Sequence, residues 1–127
     1  MSIHTRSQKL AQSAYLQIAN HLTKVENNGL SKPEKEFVST VKKFPALIHT
    51  CGLAQAVAFG LAKKNSEYIG YLANVLQAVG HSEITCAETL DEQVRKTPLS
   101  KYLRLSRDAI DAASWLKRYT EAAGEEA

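Results

Sequence analysis

The sequence has 127 residues, of which 44% are hydrophobic and 23% charged, and its formal net charge is +3. This composition is typical of one globular domain and, with only two cysteines, excludes a disordered, collagen-like or disulfide-stabilised small protein. The most apolar stretch, residues 53–62, is too short to cross a membrane, which takes about 20 residues. The first residues lack the apolar segment of a signal peptide, so we expect a cytoplasmic protein with reduced thiols.

The first predicted helix follows Thr5, which forms a capping-box pattern with Gln8. Apolar residues then recur at spacings of three and four, which indicates the buried stripe of an amphipathic helix. This stripe consists of Leu10, Ala14, Ile18, Leu22 and Val25. The sequence Asn27-Asn28-Gly29 supplies residues that tolerate the left-handed conformation of a helix end.

A second helix is predicted after Ser31, which forms another capping-box pattern with Glu34. Its inward residues are Phe37, Val38 and Val41. We expect Pro45 to interrupt this helix, because a proline ring disfavours the helical conformation of the residue before it, here Phe44. A short helix should then begin at Pro45 and stop near Gly52.

Residues 53–62 are apolar on nearly every side and rich in alanine, which predicts a helix at the centre of a bundle. Gly52, Ala56 and Gly60 recur every four residues and would let a neighbouring helix approach closely. The next helix should be capped by Ser66 and end at Gly80. Its inward residues are predicted to be Tyr68, Ile69, Leu72, Val75, Leu76 and Val79.

Thr85 and Glu88 form a capping box for a short acidic helix that should end near Lys96. A long helix should then start at Thr97-Pro98 and run to about Ala123. Its inward stripe is predicted to contain Leu99, Tyr102, Leu103, Ala109, Ile110, Ala113, Leu116 and Thr120. We therefore predict one all-α domain over residues 1–127, with an ordered core from about 5 to 123. Its architecture should be a compact bundle of about six helices with a central apolar helix and a long C-terminal helix.

Charge is distributed unevenly along the chain. The local net charge is +4 over residues 32–64, −4 over 81–92 and +5 over 93–118. Such segregation can build a basic face and an acidic face, although an ordinary solvated surface is the simpler interpretation. In the last helix, Asp108 and Asp111 follow Arg104 and Arg107 by four residues, so these side chains could pair on one face.

No motif in the sequence argues for an enzyme, although none excludes one. His49 and Cys51 are two residues apart and would point to different faces of a helix, and the other histidines and Cys86 are scattered. The metal-binding patterns C-x-x-C and H-E-x-x-H and a glycine-rich phosphate loop are absent from the sequence. We predict no catalytic residue, no metal and no cofactor.

Trp115 is predicted to lie on the outward face of the last helix, opposite the apolar stripe and among arginines. Three interpretations are open, in decreasing order of frequency. The indole could pack under a neighbouring helix, anchor a protein partner, or stack on an RNA base beside arginines that hold phosphates.

Two blocks of the sequence carry a family resemblance. The first, residues 41–59, contains P-x-x-I-x-x-x-G-L and is followed by Lys63-Lys64. The second begins at Lys101-Tyr102-Leu103, continues through Ser106-Arg107-Asp108-Ala109 and ends in W-L-K-R-Y at residues 115–119. Together, over roughly residues 5–123, these blocks resemble the small non-catalytic subunit of type III-B CRISPR effector complexes, the Cmr complexes.

The resemblance implies that the chain acts in antiviral defence as a subunit with no catalytic activity. Small subunits of this family stack beside a filament of backbone subunits and line the path of the target RNA. The implied partners are the backbone and large subunits, neighbouring copies of the chain, CRISPR RNA and target single-stranded RNA, with no membrane. Sequence recognition would come from base pairing with the guide, as in other RNA-guided effectors.

Basic residues in or beside the two blocks would then neutralise RNA phosphates without reading bases. The expected RNA-binding residues are Lys42, Lys43, Lys63, Lys64, Arg104, Arg107, Lys117 and Arg118. Trp115, Asp91 and Glu92 are expected at subunit contacts, where the acidic segment could meet a neighbour's basic face. The alternatives are a small subunit of another CRISPR effector type or a free-standing helical adaptor that binds protein.

Overall fold

A computed structural model describes residues 5–26, 32–62 and 65–124 of the chain. These residues form six helices: α1 (Arg6–Glu26), α2 (Lys32–Cys51), α3 (Leu53–Ala62), α4 (Ser66–Ala78), α5 (Ala87–Lys96) and α6 (Leu99–Gly124). The described ranges contain no strand, and the predictions of an all-α bundle and of a long last helix are confirmed. The predicted turn at residues 27–29 and the Ser31–Glu34 cap lie outside the described residues.

Helix α4 lies at the centre of the bundle and packs against all five other helices. Its inward side chains are fully buried, because apolar residues recur along it at the helical period. They are Tyr68, Ile69, Leu72, Ala73, Val75 and Leu76. Five of these six were predicted to lie inward, and Val79, also predicted inward, is partly buried against the core.

The apolar helix over residues 53–62 is present as α3, but it lies at the edge of the bundle rather than at its centre. One face is buried, whereas Phe59 on the other keeps 42% of its surface exposed. The reason is size, since the alanines of α3 have little apolar area to bury compared with the larger side chains of α4. The predicted close approach is confirmed at Gly60, where a Cβ atom would lie 2.7 Å from the Cδ1 atom of Ile69 in α4.

The predicted break at Pro45 is wrong, because α2 continues through this residue as far as Cys51. A proline inside a helix costs about 3 kcal/mol or more. The burial of Val41, Phe44 and Ile48 offsets this cost, since each fully buried apolar side chain contributes about 1.5–3 kcal/mol. These three residues share one face only if the helix is continuous. The chain then turns at Gly52, as predicted, with a positive φ of 88°.

The predicted stripe of α6 is only partly correct. Ala109, Ala113, Leu116 and Thr120 are buried, but Leu99 and Leu103 are 72% and 58% exposed. The buried face also includes Leu105 and Ala112. On a helical wheel, Leu99 and Leu103 lie more than about 100° from the line through Leu105 and Leu116, so the predicted stripe combined two faces of the helix.

The helix starts follow local hydrogen bonds. The box at α1 is confirmed, since the Thr5 N–H donates to Gln8 Oε1 at 2.8 Å and the Gln8 N–H donates to Thr5 Oγ1 at 3.1 Å. At α5 the box is displaced by one residue from the predicted pair, and the Cys86 N–H donates to Thr89 Oγ1 at 2.9 Å. At α4 the cap residue is Asn65 rather than Ser66.

Candidate nucleic-acid interface

Helices α1 and α6 lie side by side and run in the same direction. Arg6 at the start of α1 contacts Asp108, and further along both helices Tyr15 packs edge-on against Tyr119 with ring centroids 5.6 Å apart. Both contacts join residues near the two ends of the described chain. The pairing brings Arg6 of α1 beside cations of α6, although the two helices are far apart in sequence.

Arg6 is held by two carboxylates. Its guanidinium donates from Nε to Asp108 Oδ1 at 3.1 Å and from Nη2 to Asp111 Oδ2 at 2.8 Å, and Nη2 also contacts Asp108 Oδ1. The hydrogen bonds to Asp108, followed by those to Asp111, raise the pKa of Arg6. The other oxygen of Asp108 lies 2.7 Å from His81 Nε2, and both side chains are almost fully buried. Asp108 therefore has a cationic or hydrogen-bonding partner at each oxygen.

The pairing predicted within α6 is wrong. Asp108 and Asp111 bind Arg6 instead of Arg104 and Arg107, because Asp108 faces the bundle and α1. Among the residues that the structure describes, Arg104 and Arg107 are exposed and form no ion pair. Their charges are therefore available to an anion outside the chain.

Four arginines lie along the α1–α6 junction, and we call them the arginine strip. Arg6, Arg104 and Arg107 line one cleft, with Val79 and Asp108 in its wall. Arg6 also lines the adjoining cleft, which it shares with Arg118. The strip consists of Arg6, Arg104, Arg107 and Arg118. Three of these were predicted from the sequence, whereas Arg6 was missed because no local pattern connects it to α6.

Trp115 packs within its own subunit. Its ring lies against that of Tyr119, with centroids 5.7 Å apart and planes at 24°, and the Arg118 guanidinium lies 5.0 Å from the indole centroid. The side chain is partly buried against the core. Both ring contacts lie within α6, and the partial burial against the core favours packing inside the chain over a free platform for an RNA base.

The other predicted RNA-binding residues are spread over the surface. Lys42 and Lys43 are exposed on α2, and Lys43 lines a cleft with Glu36 and Phe59 that differs from those of the arginine strip. Lys117 is half-buried and, by helical geometry, lies about 100° around α6 from Arg118. Lys63 and Lys64 lie outside the described residues.

The acidic segment is paired within the chain. Asp91 lies 3.4 Å from Arg95 and Glu92 lies 3.1 Å from Lys96, each pair one turn apart on α5. Glu83 pairs with Lys101 at 3.1 Å. Exposed pairs of this kind contribute about 0–1 kcal/mol, so Asp91 and Glu92 can exchange partners at low cost.

Two other kinds of feature, a metal site and a membrane-spanning helix, are not found in the described ranges. Within residues 5–26, 32–62 and 65–124, no three His, Cys, Asp or Glu side chains are grouped so that they could hold a metal ion. None of the described helices is long and apolar enough to cross a membrane. His21, which is buried, stacks on Phe37 with ring centroids 3.9 Å apart and lies 3.0 Å from the Tyr71 hydroxyl.

Comparisons with known proteins agree on one family. The model of the family described as CRISPR-associated protein (Cas_Cmr5) matches residues 6–123. The Cmr subunit Cmr5 of a CRISPR system in Thermus thermophilus is 32% identical over 124 residues, which are 98% of this chain and 100% of that protein. A crystal structure of a CRISPR-associated Cmr5 family protein from the same organism superposes with a TM-score of 0.73 and 31% identity, over 94% of this chain and 97% of that one.

Proposed function

Because the chain belongs to the Cas_Cmr5 family of CRISPR-associated proteins and is thus a small subunit of a type III-B Cmr complex, we propose that it lines the target-RNA path of that complex. The resemblance stated from the sequence is confirmed. The observation that supports an RNA-facing role is the arginine strip, in which Arg104 and Arg107 have no acidic partner among the described residues.

The proposed mechanism is electrostatic. A guanidinium group presents a planar fork of N–H donors that matches the oxygens of a phosphate, and it stays charged at every physiological pH. Arginines at the strip would therefore hold the RNA backbone and leave its bases free to pair with the guide. Lysines on α2 would add charge at a second place on the surface, since Lys43 lines a different cleft.

The family consists of small structural subunits, and we propose that this chain likewise has no catalytic residue. Its RNA-binding residues are proposed to be Lys42, Lys43, Lys63, Lys64, Arg104, Arg107, Lys117 and Arg118. Asp91, Glu92 and Trp115 are proposed to contribute to contacts with neighbouring copies or with the backbone and large subunits. The complex would act in the cytoplasm on target single-stranded RNA.

A salt titration tests this proposal. Binding of a fluorescently labelled single-stranded RNA by the purified chain should be weak and independent of sequence. It should fall with rising salt by a log–log slope of about −0.7 for each phosphate contact. An RNA affinity that is independent of salt concentration, or that depends on RNA sequence, would contradict the mechanism.

A pull-down from the native cell tests the partners. The tagged chain should bring down larger CRISPR-associated subunits together with CRISPR RNA. Partners that carry no such RNA and that stay bound after ribonuclease treatment would contradict the proposal and favour a protein-binding adaptor.

A further inference from the structure

The cleft lined by Arg6, Arg104 and Arg107 differs from the rest of the basic surface because one of its cations, Arg6, is held in place by carboxylates of the same chain. Arg6 is bound by Asp108 and Asp111, and Asp108 is in turn bound by His81. These contacts join α1, the α4–α5 connection and α6 at one place. An arginine held in this way loses little conformational entropy when it binds a ligand.

We infer that this cleft is a phosphate-binding site in which Arg6, Arg104 and Arg107 converge on one phosphodiester group of single-stranded RNA, with Asp108 as a positioning residue. The inference rests on the proposed function and sharpens it, because it assigns a defined phosphate contact to one cleft and adds Arg6 to the RNA-facing residues.

The charges in the cleft favour an anion. Asp108 is the carboxylate in its wall, and each of its oxygens already has a partner, Arg6 or His81. Arg104 and Arg107 are exposed and form no ion pair in the described part of the chain. Two guanidinium groups one turn apart can each donate two hydrogen bonds to a phosphate, whereas an ammonium group acts as a point charge.

The first test compares two matched pairs of cations. Replacing the arginines in R104Q/R107Q should weaken binding of a short labelled single-stranded RNA by about tenfold. It should also reduce the salt slope by up to about 0.7, because the three arginines converge on one phosphate. The control K42Q/K43Q removes the same charge from α2 and should have a smaller effect, and R104K/R107K should recover only part of the affinity.

The second test separates positioning from charge. D108A removes a negative charge, so a surface that acts by charge alone would bind RNA more tightly. We expect weaker binding, because Arg6 would lose the carboxylate that holds it. Circular dichroism and thermal unfolding establish whether D108A is folded. If it is not, the arginine pair and its lysine control decide whether the cleft binds phosphate, since those four side chains are exposed.

The outcomes distinguish the two proposals. If the unsubstituted chain binds no RNA, the proposed function fails. If it binds RNA but R104Q/R107Q behaves like K42Q/K43Q, only the phosphate site is overturned. Titration with inorganic phosphate and ATP identifies the source of the phosphate group, because binding of either as tightly as RNA would overturn the assignment to an RNA backbone.

Discussion

The core around α4 and the arginine strip both connect α1 with α6, but different forces hold them. Helix α4 has six fully buried side chains and packs against all the other helices. Beside the strip, ion pairs join Arg6 to Asp108 and Asp111, and Asp108 to His81, close to the surface. Apolar burial contributes about 25 cal/mol per Å², whereas an exposed ion pair contributes about 0–1 kcal/mol. The core therefore supplies stability, and the strip supplies fixed geometry and free charge.

The largest contrast is expected between two leucines. Leu72 in α4 is fully buried, and Leu103 at the start of α6 is mostly exposed. Leu72→Ala should lower the free energy of unfolding by about 2–5 kcal/mol. Leu103→Ala should change it by no more than about 0.5 kcal/mol. Urea denaturation measures both, and a large loss for Leu103→Ala would show that the predicted inward stripe was right.

A smaller contrast is expected within the arginine strip. Arg6→Ala leaves a nearly buried carboxylate without one of its partners and should cost about 1–2 kcal/mol, a value reduced because Arg6 is partly exposed. The matched change Arg104→Ala should stay within about 0.5 kcal/mol. Thermal unfolding of the two variants at equal pH and salt checks this. Equal losses would mean that Arg6 is not anchored as described.

Tyr68 is a polar defect in the core. Its hydroxyl is buried and has no hydrogen-bond partner in the described part of the chain. Tyr68→Phe should therefore stabilise the fold at pH 7, by up to about 1 kcal/mol.

The same substitution has a pH signature. Burial raises the pKa of Tyr68 far above its usual value. The unfolded chain ionises this group near about pH 10, so its contribution to stability is complete below that pH and is lost as pH rises further. Wild-type stability should fall more steeply than that of Tyr68→Phe above about pH 10. Parallel curves for the two proteins would contradict the burial of Tyr68.

The smallest effect is expected at the exposed Glu83–Lys101 pair. A backbone hydrogen bond and then Lys101 lower the pKa of Glu83. Its contribution is therefore present above the unfolded pKa and is lost as pH falls through the folded value. Lys101→Gln should cost at most about 0.5 kcal/mol at pH 7. This difference should shrink as the pH falls below the pKa of the unfolded chain, about 4.3, and disappear once Glu83 is protonated in the folded chain as well.

Local patterns predicted the parts of the fold that depend on neighbours in sequence. The Thr5–Gln8 cap and the buried side chains of α4 follow from spacings of three and four residues. The rule for Pro45 failed because core packing on both sides of the proline outweighed the local preference.

The candidate site was predicted less completely, for a different physical reason. Arg104, Arg107 and Arg118 could be placed on the outward face of α6 from helical geometry alone. The lack of an ion pair between these arginines and Asp108 could not be predicted, because Asp108 is bound by Arg6, which is 102 residues away in sequence. The contact of the eight proposed basic residues with RNA stays a prediction, and salt titrations of the substituted chains test it.

The contact between Arg6 and Asp108 also has a consequence for the order of folding. Contacts between residues far apart in sequence close large loops and form slowly. During synthesis α1 leaves the ribosome first and α6 last. Helix α1 therefore cannot pack against α6, one of its main neighbours, until the rest of the chain has been made. Until α6 has docked, Arg6 has no carboxylate to hold it. Only a subunit whose last helix is in place can therefore present a complete arginine strip.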